Sequence, residues 1–406
     1  MDGLTYMKIA LVHDWLNSLG GAERVLIELH KIFPDAPIYT LFYDKKFKAE
    51  HLLNAEVRPS FLQKLPLITN YYKFLAFLMP SAVESFDLSD FEVVISSSAF
   101  FSKGLILRPK TKHICYCYSP TRQLWDLNSI YPITDYGLRI KSNTQYVMRN
   151  PIIEIAKHTL RLWDRQAADR VDEFVAISET VRSRIQKYYK RDSIVIHPPI
   201  SNFKFLLRQD FDGELSRTAQ DGERGRTIIS KQVSSSKHKI PNNYYLIVSR
   251  LYPHKNVDVA VEAFAKLNLP LVIIGNGPEY KNLKSQISNL KSIQLLGFVP
   301  DEELPYYYQN CRAFIMPQEE DFGLTPLEAM SFGKPVLALR KGGALETLRE
   351  GVTGEFFDDP IPEALADGVR RLNENYKNYR PEPIQNQAKQ FSVEKFRKEI
   401  ENLVKF

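Results

Sequence analysis

The feature that most constrains this chain is an alternation of short apolar runs with longer helical patterns, which occurs twice along its length. The runs are hydrophobic at successive positions, as expected for strands that are buried on both faces. The first series of predicted strands covers residues 8–12, 37–41, 93–97, 113–117, 173–177 and 193–197, and the second covers 244–248, 271–274, 293–296, 313–316, 336–339 and 354–357. Strands that alternate with helices favour parallel, doubly wound sheets. The sequence therefore predicts an α/β protein with two doubly wound, Rossmann-like domains.

The boundary between the two series falls near residue 200. At 406 residues the chain is too long for one ordinary core. Residues 201–240 are rich in polar and charged side chains, so we expect a flexible polar insertion there. The predicted N-terminal domain covers 1–200 and the C-terminal domain covers 241–384, with a last amphipathic helix at about 385–406 that packs back on the first domain. Ligands bind at the carboxyl ends of strands in open α/β sheets, so we expect a site in a central cleft that the two domains face.

Composition favours a reducing compartment. The three cysteines, Cys115, Cys117 and Cys311, show neither a disulfide framework nor a zinc spacing. The apolar run at 7–12 is too short for a secretory signal, and no run approaches the roughly 20 apolar residues that a membrane-spanning helix needs. We therefore expect a cytoplasmic protein that is not integral to a membrane.

Charge is distributed unevenly in a chain of net charge +6. Residues 61–86 are rich in aromatic and aliphatic side chains, and residues 93–125 contain several cations but no acid. This pattern suggests peripheral contact with anionic lipid at the inner face of the cell membrane, worth about 1 kcal/mol for each cation near the surface. A core helix beside a solvated basic loop explains it equally well, so both interpretations stay open. Nucleic acid is disfavoured, because no basic helix, zinc finger or RNA-binding aromatic motif accompanies the charge.

Two cations follow the first strand of the second series. Arg250 and Lys255 lie in the loop after that strand, where a ligand of an open sheet would lie. An arginine fork and a lysine point charge together can hold a diphosphate. Most loop cations are merely solvated, so the spacing alone is a weak signal. It gains weight from a second anion-binding feature further along the chain.

That second feature is the stretch 320–328, which follows a short apolar strand. Thr325 is a suitable N-cap, Pro326 suits the first helical position, and Glu328 stands three residues after the cap. A helix that begins there directs free backbone N–H groups at an anion, and a phosphate is the expected ligand. Glu328 is either a simple capping residue or a ligand-binding one. Glu320 precedes the helix and needs a cation or hydroxyl donor nearby, because Glu319 and Asp321 flank it.

Several glycine turns follow strands and precede helices. Gly20 and Gly21 open the first helix without the Gly-x-Gly-x-x-Gly spacing of dinucleotide-binding proteins, and they allow close approach of a ligand to the backbone. Gly275 and Gly277 suit either close ligand approach or, as we favour, a tight turn before a helix. The pair 342–343 is expected to line the same cleft.

Taken in order, these motifs resemble those of one enzyme family. The matching segments of the second half are Val248-Ser249-Arg250, Lys255-Asn256-Val257-Asp258, Gly275-Asn276-Gly277-Pro278-Glu279, Gly297-Phe298-Val299, Glu320-x7-Glu328 and Gly342-Gly343-x-x-Glu346. Those of the first half are Gly20-Gly21-Ala22-Glu23, Leu162-Trp163-Asp164-Arg165, Arg170-Val171-Asp172, Ala176-Ile177-Ser178 and His197-Pro198-Pro199. The series resembles the retaining glycosyltransferases of family 4, which have the GT-B fold, and is most similar to bacterial mannosyltransferases of surface-polysaccharide assembly. The resemblance spans nearly the whole chain except the insertion.

The resemblance implies roles for individual residues. Arg250 and Lys255 would bind the donor diphosphate, and Glu320 would hydrogen-bond hydroxyls of the transferred sugar. Glu328 would hold the ribose, and the backbone at 298–299 would receive the base. The donor-binding residues implied in this way are Gly20, Gly21, Gly275, Gly277, Phe298, Val299, Phe322, Gly323, Leu324, Thr325 and Glu328.

One residue departs from the family pattern. The segment Cys115-Tyr116-Cys117-Tyr118-Ser119-Pro120-Thr121-Arg122-x-x-Trp125-Asp126 resembles a family segment that usually has histidine where Tyr118 stands, near the transferred sugar. A phenol donates a hydrogen bond but does not become cationic. We place Tyr118 among the expected catalytic residues, and the departure bears on donor-sugar fit or on activity. Starch and glycogen synthases are disfavoured, because their lysine before the paired glycines is Leu19 here.

The activity implied is transfer of a hexose, expected to be mannose from GDP-mannose, to a lipid-linked saccharide in surface-polysaccharide (lipopolysaccharide-type) assembly. Two cations and the helix start at Thr325 would stabilise the departing diphosphate, so no metal and no cofactor is expected. The alternatives are a UDP-sugar-dependent transferase of the same fold, an epimerase or phosphorylase of that fold, and an inactive subunit that binds a nucleotide-sugar.

Overall fold

The computed structural model of the protein describes residues 7–126, 151–200 and 240–405. The described chain divides into two compact units. The N-terminal unit runs to Pro198 and includes the chain from Phe396 onwards, whereas the C-terminal unit runs from Pro199 to Lys395. The predicted polar insertion, apart from its last residue, lies outside the described residues.

The N-terminal unit is built on a parallel sheet. Its described strands are β1 (Ile9–His13), β2 (Ile38–Thr40), β3 (Val57–Pro59), β4 (Val93–Ser98), β5 (Lys112–Cys117), β6 (Glu173–Ala176) and β7 (Ser193–Val195). They lie in the order β3-β2-β1-β4-β5-β6-β7, and every pair is parallel. The chain therefore winds outward from β1 in one direction and from β4 in the other, which confirms the predicted doubly wound sheet.

Helices connect these strands. They are α1 (Gly21–Ile32), α2 (Lys45–His51), α3 (Ile68–Tyr71), α4 (Met79–Glu84), α5 (Arg122–Trp125), α6 (Pro151–Asp169) and α7 (Glu179–Tyr189), with 3₁₀ turns at Phe61–Lys64 and Tyr72–Leu78. On one side of the sheet, a hydrophobic core joins strand residues such as Val12 and Val94 to Leu62, Ile68 and Met79. One side of the stretch 61–79 thus packs into this core.

The C-terminal unit repeats this architecture. Its described strands are β8 (Tyr245–Val248), β9 (Leu271–Ile274), β10 (Ile293–Gly297), β11 (Ala313–Met316), β12 (Val336–Leu339) and β13 (Gly354–Phe357). All neighbours are parallel in the order β10-β9-β8-β11-β12-β13. The winding reverses between β8 and β11, and ligand crevices of open sheets form at such a reversal.

The helices of this unit begin with α8 (Val257–Leu267), which follows a 3₁₀ turn at Pro253–Lys255. The others are α9 (Tyr280–Gln286), α10 (Leu304–Asn310), α11 (Leu324–Ser331), α12 (Ala344–Thr347), α13 (Pro362–Glu374) and α14 (Pro381–Lys389), with a 3₁₀ turn at Tyr376–Asn378. The chain then forms α15 (Val393–Val404), from which Phe396 contacts Tyr116 with ring centroids 5.8 Å apart. The helical region predicted at about 385–406 is therefore two helices, and only the second reaches the N-terminal unit.

One buried ion pair ties several elements of the N-terminal unit together. Lys103 Nζ lies 2.6 Å from Asp164 Oδ1, and both side chains are almost completely buried. The same carboxylate accepts hydrogen bonds from Thr121, Trp125 and Tyr189 at 2.7–2.8 Å. Lys103 therefore has a structural role and is not available to the surface.

Candidate functional site

The reversal point of the C-terminal sheet brings the predicted cations and carboxylate together. Arg250 follows β8, Lys255 ends the 3₁₀ turn after it, and Glu320 follows the adjacent strand β11. Because the carboxyl ends of neighbouring parallel strands share one edge, residues 65 apart in sequence become neighbours. The predicted grouping of Arg250, Lys255 and Glu320 is therefore present in the structure.

Lys255 and Glu320 form a direct ion pair. Lys255 Nζ donates to Glu320 Oε1 at 2.5 Å, and Gln318 Nε2 donates to the same oxygen at 2.8 Å. Lys255 is only 5% exposed, whereas the Glu320 side chain is 25% exposed. Burial alone would raise the pKa of Glu320, but Lys255, Gln318 and Arg250 oppose it and hold that pKa at about 2. The Glu320 carboxylate is thus ionised at any physiological pH, and it is the part of the pair that reaches the surface.

The backbone around Lys255 explains how the lysine is placed. Asn256 adopts a left-handed conformation with φ of 48°, which asparagine tolerates better than most residues. Its side-chain amide donates to the carbonyl of Pro317 at 3.2 Å. The loop after β8 is thereby fixed to the loop after β11, and Lys255 is held over Glu320.

Arg250 remains open to solvent. It is exposed, and its guanidinium lies 5.9 Å from the centre of the Tyr252 ring. Its charge also contributes to the low pKa of Glu320, so the two groups share one electrostatic environment. Arg250 is therefore directly accessible to an anion in solution, whereas Lys255 is buried.

Helix α11 begins two residues earlier than predicted, and its cap is different. Gly323 is the N-cap with φ of 91°, no side chain caps the helix, and Thr325 lies within the first turn. The predicted Thr325 cap and its capping box with Glu328 are therefore wrong, because glycine takes the left-handed position that turns the chain into the helix. Phe322 packs its ring against Phe391, with centroids 5.4 Å apart, so only its backbone can face a ligand.

Glu328 is buried on the helix. It is 4% exposed, and its Oε2 accepts a hydrogen bond from Tyr308 OH at 2.7 Å. Glu328 therefore does not cap α11, and its carboxylate accepts a hydrogen bond from the protein. Ribose binding by Glu328 stays a prediction.

The glycine turns have a packing role. A Cβ on Gly275 would lie 1.8 Å from the carbonyl oxygen of Ser249, and one on Gly277 would lie 2.4 Å from that of Leu251. Both glycines have positive φ, so the loops after β8 and β9 interlock only because these residues lack side chains. The interpretation as tight turns is consistent with this geometry.

Two further turns border the same edge of the sheet. Gly343 N donates to Glu320 O at 2.9 Å, and a Cβ on Gly342 would lie 2.2 Å from that oxygen. After β10, Phe298 is 76% exposed and Val299 is nearly buried at 9%. The backbone of the loop that carries Glu320 is thus fixed by the 342–343 turn, while Phe298 offers an open aromatic ring.

In the N-terminal unit the winding reverses between β1 and β4, and this point holds an internal anion site. Asp14 follows β1, and its carboxylate accepts four backbone hydrogen bonds, from residues 99 to 102, at 2.7–3.0 Å. Asp14 is only 3% exposed. The sequence analysis did not select Asp14, although an acid directly after an apolar strand was a usable signal.

Tyr118 belongs to a hydrogen-bonded chain at this reversal point. Its OH lies 2.8 Å from Ser97 Oγ and donates to the carbonyl of Ala22 at 2.9 Å, and Ser97 Oγ lies 3.0 Å from His13 Nδ1. Burial raises the pKa of Tyr118 well above its usual value, so the phenol stays protonated. The hydroxyl already has two protein partners. His13 and Ser97 were also missed, because their partners lie far away in sequence.

The Gly20-Gly21 turn is fixed by Glu23. Gly20 N donates to Glu23 Oε2 at 2.9 Å, and Glu23 Oε1 lies 3.7 Å from His13 Nε2. A Cβ on Gly20 would meet the same carboxylate at 2.8 Å. The turn is therefore connected through His13 and Ser97 to Tyr118.

The described residues contain neither a metal-binding cluster nor a membrane-spanning helix. Within residues 7–126, 151–200 and 240–405, no group of three or more His, Cys, Asp and Glu side chains is placed to hold a metal ion. In the same ranges, no helix is both long and apolar enough to cross a bilayer.

Comparison with known proteins gives matches to both halves of the chain. Residues 229–390 match the family model described as "Glycosyl transferases group 1". An uncharacterized glycosyltransferase of Methanocaldococcus jannaschii is 25% identical over 240 residues, which are 58% of this chain and 60% of that protein. A GDP-mannose-dependent alpha-(1-6)-phosphatidylinositol monomannoside mannosyltransferase of Mycolicibacterium smegmatis is 33% identical over 31% of this chain and 37% of its own. The chain thus spans less than two thirds of either relative.

Two longer matches extend over nearly the whole chain. The alpha-1,3/1,6-mannosyltransferase ALG2 of Candida glabrata is 25% identical over 93% of this chain and 89% of its own length. The solved structure of Anabaena HepE in complex with UDP superposes with a TM-score of 0.66 at 20% identity, and it covers 98% of this chain and 100% of that one. The chain therefore has the GT-B fold of two doubly wound domains, and its sequence over residues 229–390 is similar to the group 1 glycosyl transferases.

Proposed function

We propose that this protein is a retaining glycosyltransferase of family 4 that transfers mannose from GDP-mannose to a lipid-linked saccharide in surface-polysaccharide assembly. The observation that carries the proposal is the Lys255–Glu320 pair at the reversal point of the C-terminal sheet, with Arg250 exposed beside it. A buried, fixed cation and an exposed one suit a diphosphate, and a solvent-reaching carboxylate suits sugar hydroxyls. Helix α11 begins four residues after Glu320, and its first backbone N–H groups add donors for an anion.

The proposed chemistry needs no nucleophile from the protein. The bond between sugar C1 and the diphosphate oxygen breaks, and the diphosphate leaves with the electron pair. The acceptor hydroxyl oxygen then attacks C1 on the same face, and its proton passes to a diphosphate oxygen. Arg250 and Lys255 stabilise the charge that grows on the leaving group, which is commonly the largest contribution to catalysis. In this proposal the two cations supply that stabilisation without a metal.

Glu320 has a separate role in the proposal. Its carboxylate is ionised and reaches solvent, so it accepts hydrogen bonds from hydroxyls of the transferred sugar. Sugar binding there would draw Glu320 partly away from Lys255 and leave the lysine free for the diphosphate. Glu320→Gln is expected to impair transfer more than it impairs binding of free GDP, and an equal loss of both would contradict this placement.

The choice of mannose and of GDP rests on relatives. The Mycolicibacterium smegmatis relative is named as GDP-mannose-dependent, and the Candida glabrata relative is named as a mannosyltransferase. HepE was solved with UDP, so a UDP-sugar donor is the second candidate. The exposed Phe298 ring suits either base, because every base has a face on which an aromatic side chain can stack.

The test is a donor panel with the full chain. Binding of GDP-mannose, UDP-glucose and UDP-GlcNAc is measured by calorimetry, and release of nucleoside diphosphate is measured with and without a lipid-linked saccharide acceptor. We expect GDP-mannose to bind most tightly and acceptor to stimulate release of GDP. If the protein instead binds and turns over a UDP-sugar preferentially, the donor is that UDP-sugar and not GDP-mannose.

An inactive subunit is the remaining alternative, and Tyr118 is the residue that bears on it. Its hydroxyl already has Ser97 and the Ala22 carbonyl as partners. Nucleotide-sugar binding without turnover, with every donor and with a saccharide acceptor present, would favour the subunit over the enzyme.

A further inference from the structure

The stretch 61–78 of the N-terminal unit exposes a row of large apolar side chains. Leu67, Tyr71, Phe74 and Phe77, here called the apolar ridge, are 64%, 54%, 58% and 64% exposed. They are spaced three or four residues apart, from Leu67 at the N-cap of α3 to Phe77 in the 3₁₀ turn Tyr72–Leu78, which has a kink at Leu75. The ridge is thus a continuous feature of one segment.

The opposite side of the same segment is also apolar. Ile68 is 3% exposed, and Tyr72, Leu75 and Leu78 pack against the hydrophobic core of the unit. A helical segment that is apolar all round is ordinarily buried all round. Here one side is buried and the other is exposed. Exposed apolar surfaces of this kind are typical of sites that contact a membrane or another protein.

The backbone at the start of the ridge is strained. Leu67 has φ of 54°, a left-handed conformation that is unfavourable for a residue with a side chain. Its carbonyl accepts hydrogen bonds from the N–H groups of Asn70 and Tyr71, so the strained residue begins the turn that carries the ridge. An apolar side chain that is both strained and exposed points to a function for its position.

The charge around the ridge is positive. Residues 57–83 contain no Asp or Glu, but they contain Arg58, Lys64 and Lys73. Lys64 and Lys73 are exposed and flank the ridge residues in sequence. In contrast, Lys103 is buried on Asp164, and Lys112 lies 3.0 Å from Glu173. The acid-free segment at 93–125 therefore contributes less available charge than its sequence suggests.

We propose that the apolar ridge is the surface by which the N-terminal unit lies on an anionic phospholipid bilayer. Leu67, Tyr71, Phe74 and Phe77 would enter the boundary between headgroups and acyl chains, and Lys64 and Lys73 would contact anionic headgroups. The apolar side chains, the flanking lysines and the absence of acids from residues 57–83 match this partner more closely than they match a protein surface. The inference deepens the proposed function, since a lipid-linked acceptor resides in such a bilayer, but its test does not depend on transfer.

The test is co-sedimentation of the full chain with phosphatidylcholine vesicles and with vesicles in which about a third of the lipid is phosphatidylglycerol. We expect binding to the anionic vesicles, reduced at least about tenfold in Phe74→Ser/Phe77→Ser, because two large apolar side chains no longer leave water. Lys64→Ala and Lys73→Ala should each weaken binding roughly fivefold. Raising the salt concentration to about 1 M shortens the screening length to about 3 Å and should weaken the wild type similarly.

The matched control is Ile361→Ser, which removes an exposed apolar side chain from the C-terminal unit. It should bind vesicles as the wild type does, and circular dichroism establishes that each variant is folded. Equal vesicle binding by the ridge variant and the wild type would overturn the proposal. So would an absence of vesicle binding by the wild type, or self-association through the ridge that Phe74→Ser/Phe77→Ser abolishes. GDP-mannose binding by calorimetry in the same variants is expected to be unchanged, which separates a failure here from a failure of the proposed function.

Discussion

Among single residues, Lys255 shows how a buried cation is kept ready for an anion. Its ammonium group is shielded from water but is balanced by Glu320, whose pKa it helps to hold at about 2. A buried lysine without such a partner would tend to lose its proton. Water screens the Lys255–Glu320 interaction only weakly, because the lysine is almost completely buried.

Lys255→Ala is expected to lower turnover of GDP-mannose by roughly 10–100-fold, in line with the loss of one charge-assisted hydrogen bond to the diphosphate. Steady-state kinetics with the full chain is the measurement. Lys284→Ala, which removes an exposed cation from the same unit, is the control and should leave turnover unchanged. Unaltered kinetics in a folded Lys255→Ala variant would exclude the proposed role.

Tyr118→Phe removes a hydroxyl that bonds both Ser97 and the Ala22 carbonyl. We expect the free energy of unfolding to fall by about 1–3 kcal/mol, since buried partners lose their hydrogen bonds. Chemical denaturation measures it, and Tyr43→Phe, the same change at another half-buried tyrosine of this unit, serves as the control. If Tyr118→Phe lowers turnover without lowering stability, Tyr118 acts on the substrate and not on the protein.

At the scale of secondary structure, the strands were the most predictable part of the chain. The observed limits of β9, β11, β12 and β13 are those predicted, and the first three are short runs that are apolar on both faces. Strand β3 was missed, since Val57–Pro59 lies at the sheet edge, is largely exposed and ends in proline. Local pattern thus predicts central strands better than edge strands.

The candidate site was predicted in part. Arg250 and Lys255 could be found because cations follow a strand, and Glu320 because it precedes a helix in an acidic cluster. Their direct contact depends on the order of β8 and β11 in the sheet, which the local sequence does not specify. The cap of α11 was predicted wrongly, because the chain uses the conformation of Gly323 and not the side chain of Thr325.

Asp164→Asn tests the buried cluster that connects α5, α6, α7 and the loop after β4. Without the carboxylate charge, Lys103 is left buried and uncompensated, and we expect the free energy of unfolding to fall by about 3–5 kcal/mol. Denaturant unfolding followed by tryptophan fluorescence is the measurement. Lys46→Ala, which removes an exposed cation paired with Glu50 in the same unit, should cost about 1 kcal/mol or less. Equal losses of unfolding free energy in the two variants would show that the buried ion pair stabilises the protein no more than an exposed one does.

At the scale of the whole molecule, the two units respond to acid over different pH ranges. In the N-terminal unit, burial lowers the pKa of His113 from 6.5 to about 4. In the C-terminal unit, the pKa of Glu320 falls from 4.5 to about 2 through its bonds to Lys255 and Gln318, which outweigh the opposing effect of burial. Each group binds its proton more readily in the unfolded state than in the folded state, so each costs stability as the pH falls.

The prediction is that the N-terminal unit loses stability first. As the pH falls from about 6.5 to about 4, the unfolded chain protonates His113 while the folded chain does not, which costs about 3 kcal/mol. Trp15, Trp125 and Trp163 are the three tryptophans of the sequence and all lie in this unit, so their fluorescence reports its unfolding. The Glu320 contribution is present above about pH 4.5 and is lost toward about pH 2.

His113→Asn is the matched variant for this prediction. It should flatten the dependence of N-terminal unfolding on pH between about 6.5 and 4, because no proton is then taken up at this position. Denaturant midpoints are compared at several pH values by fluorescence. A pH dependence that is the same in the variant and the wild type would assign acid sensitivity to other groups.

The carboxylate of Asp14 has a consequence for where phosphate can be recognised. Four successive amides of the loop after β4 already surround that side chain, so the peptide dipoles at this end of the N-terminal sheet are neutralised from within. The Asp14 carboxylate would repel an anionic ligand at this position, and those four amides already donate to Asp14. In the proposed function, a phosphate is therefore recognised by Arg250, Lys255 and the first turn of α11, and we expect the strand end beside Asp14 to accept neutral, hydroxyl-bearing groups.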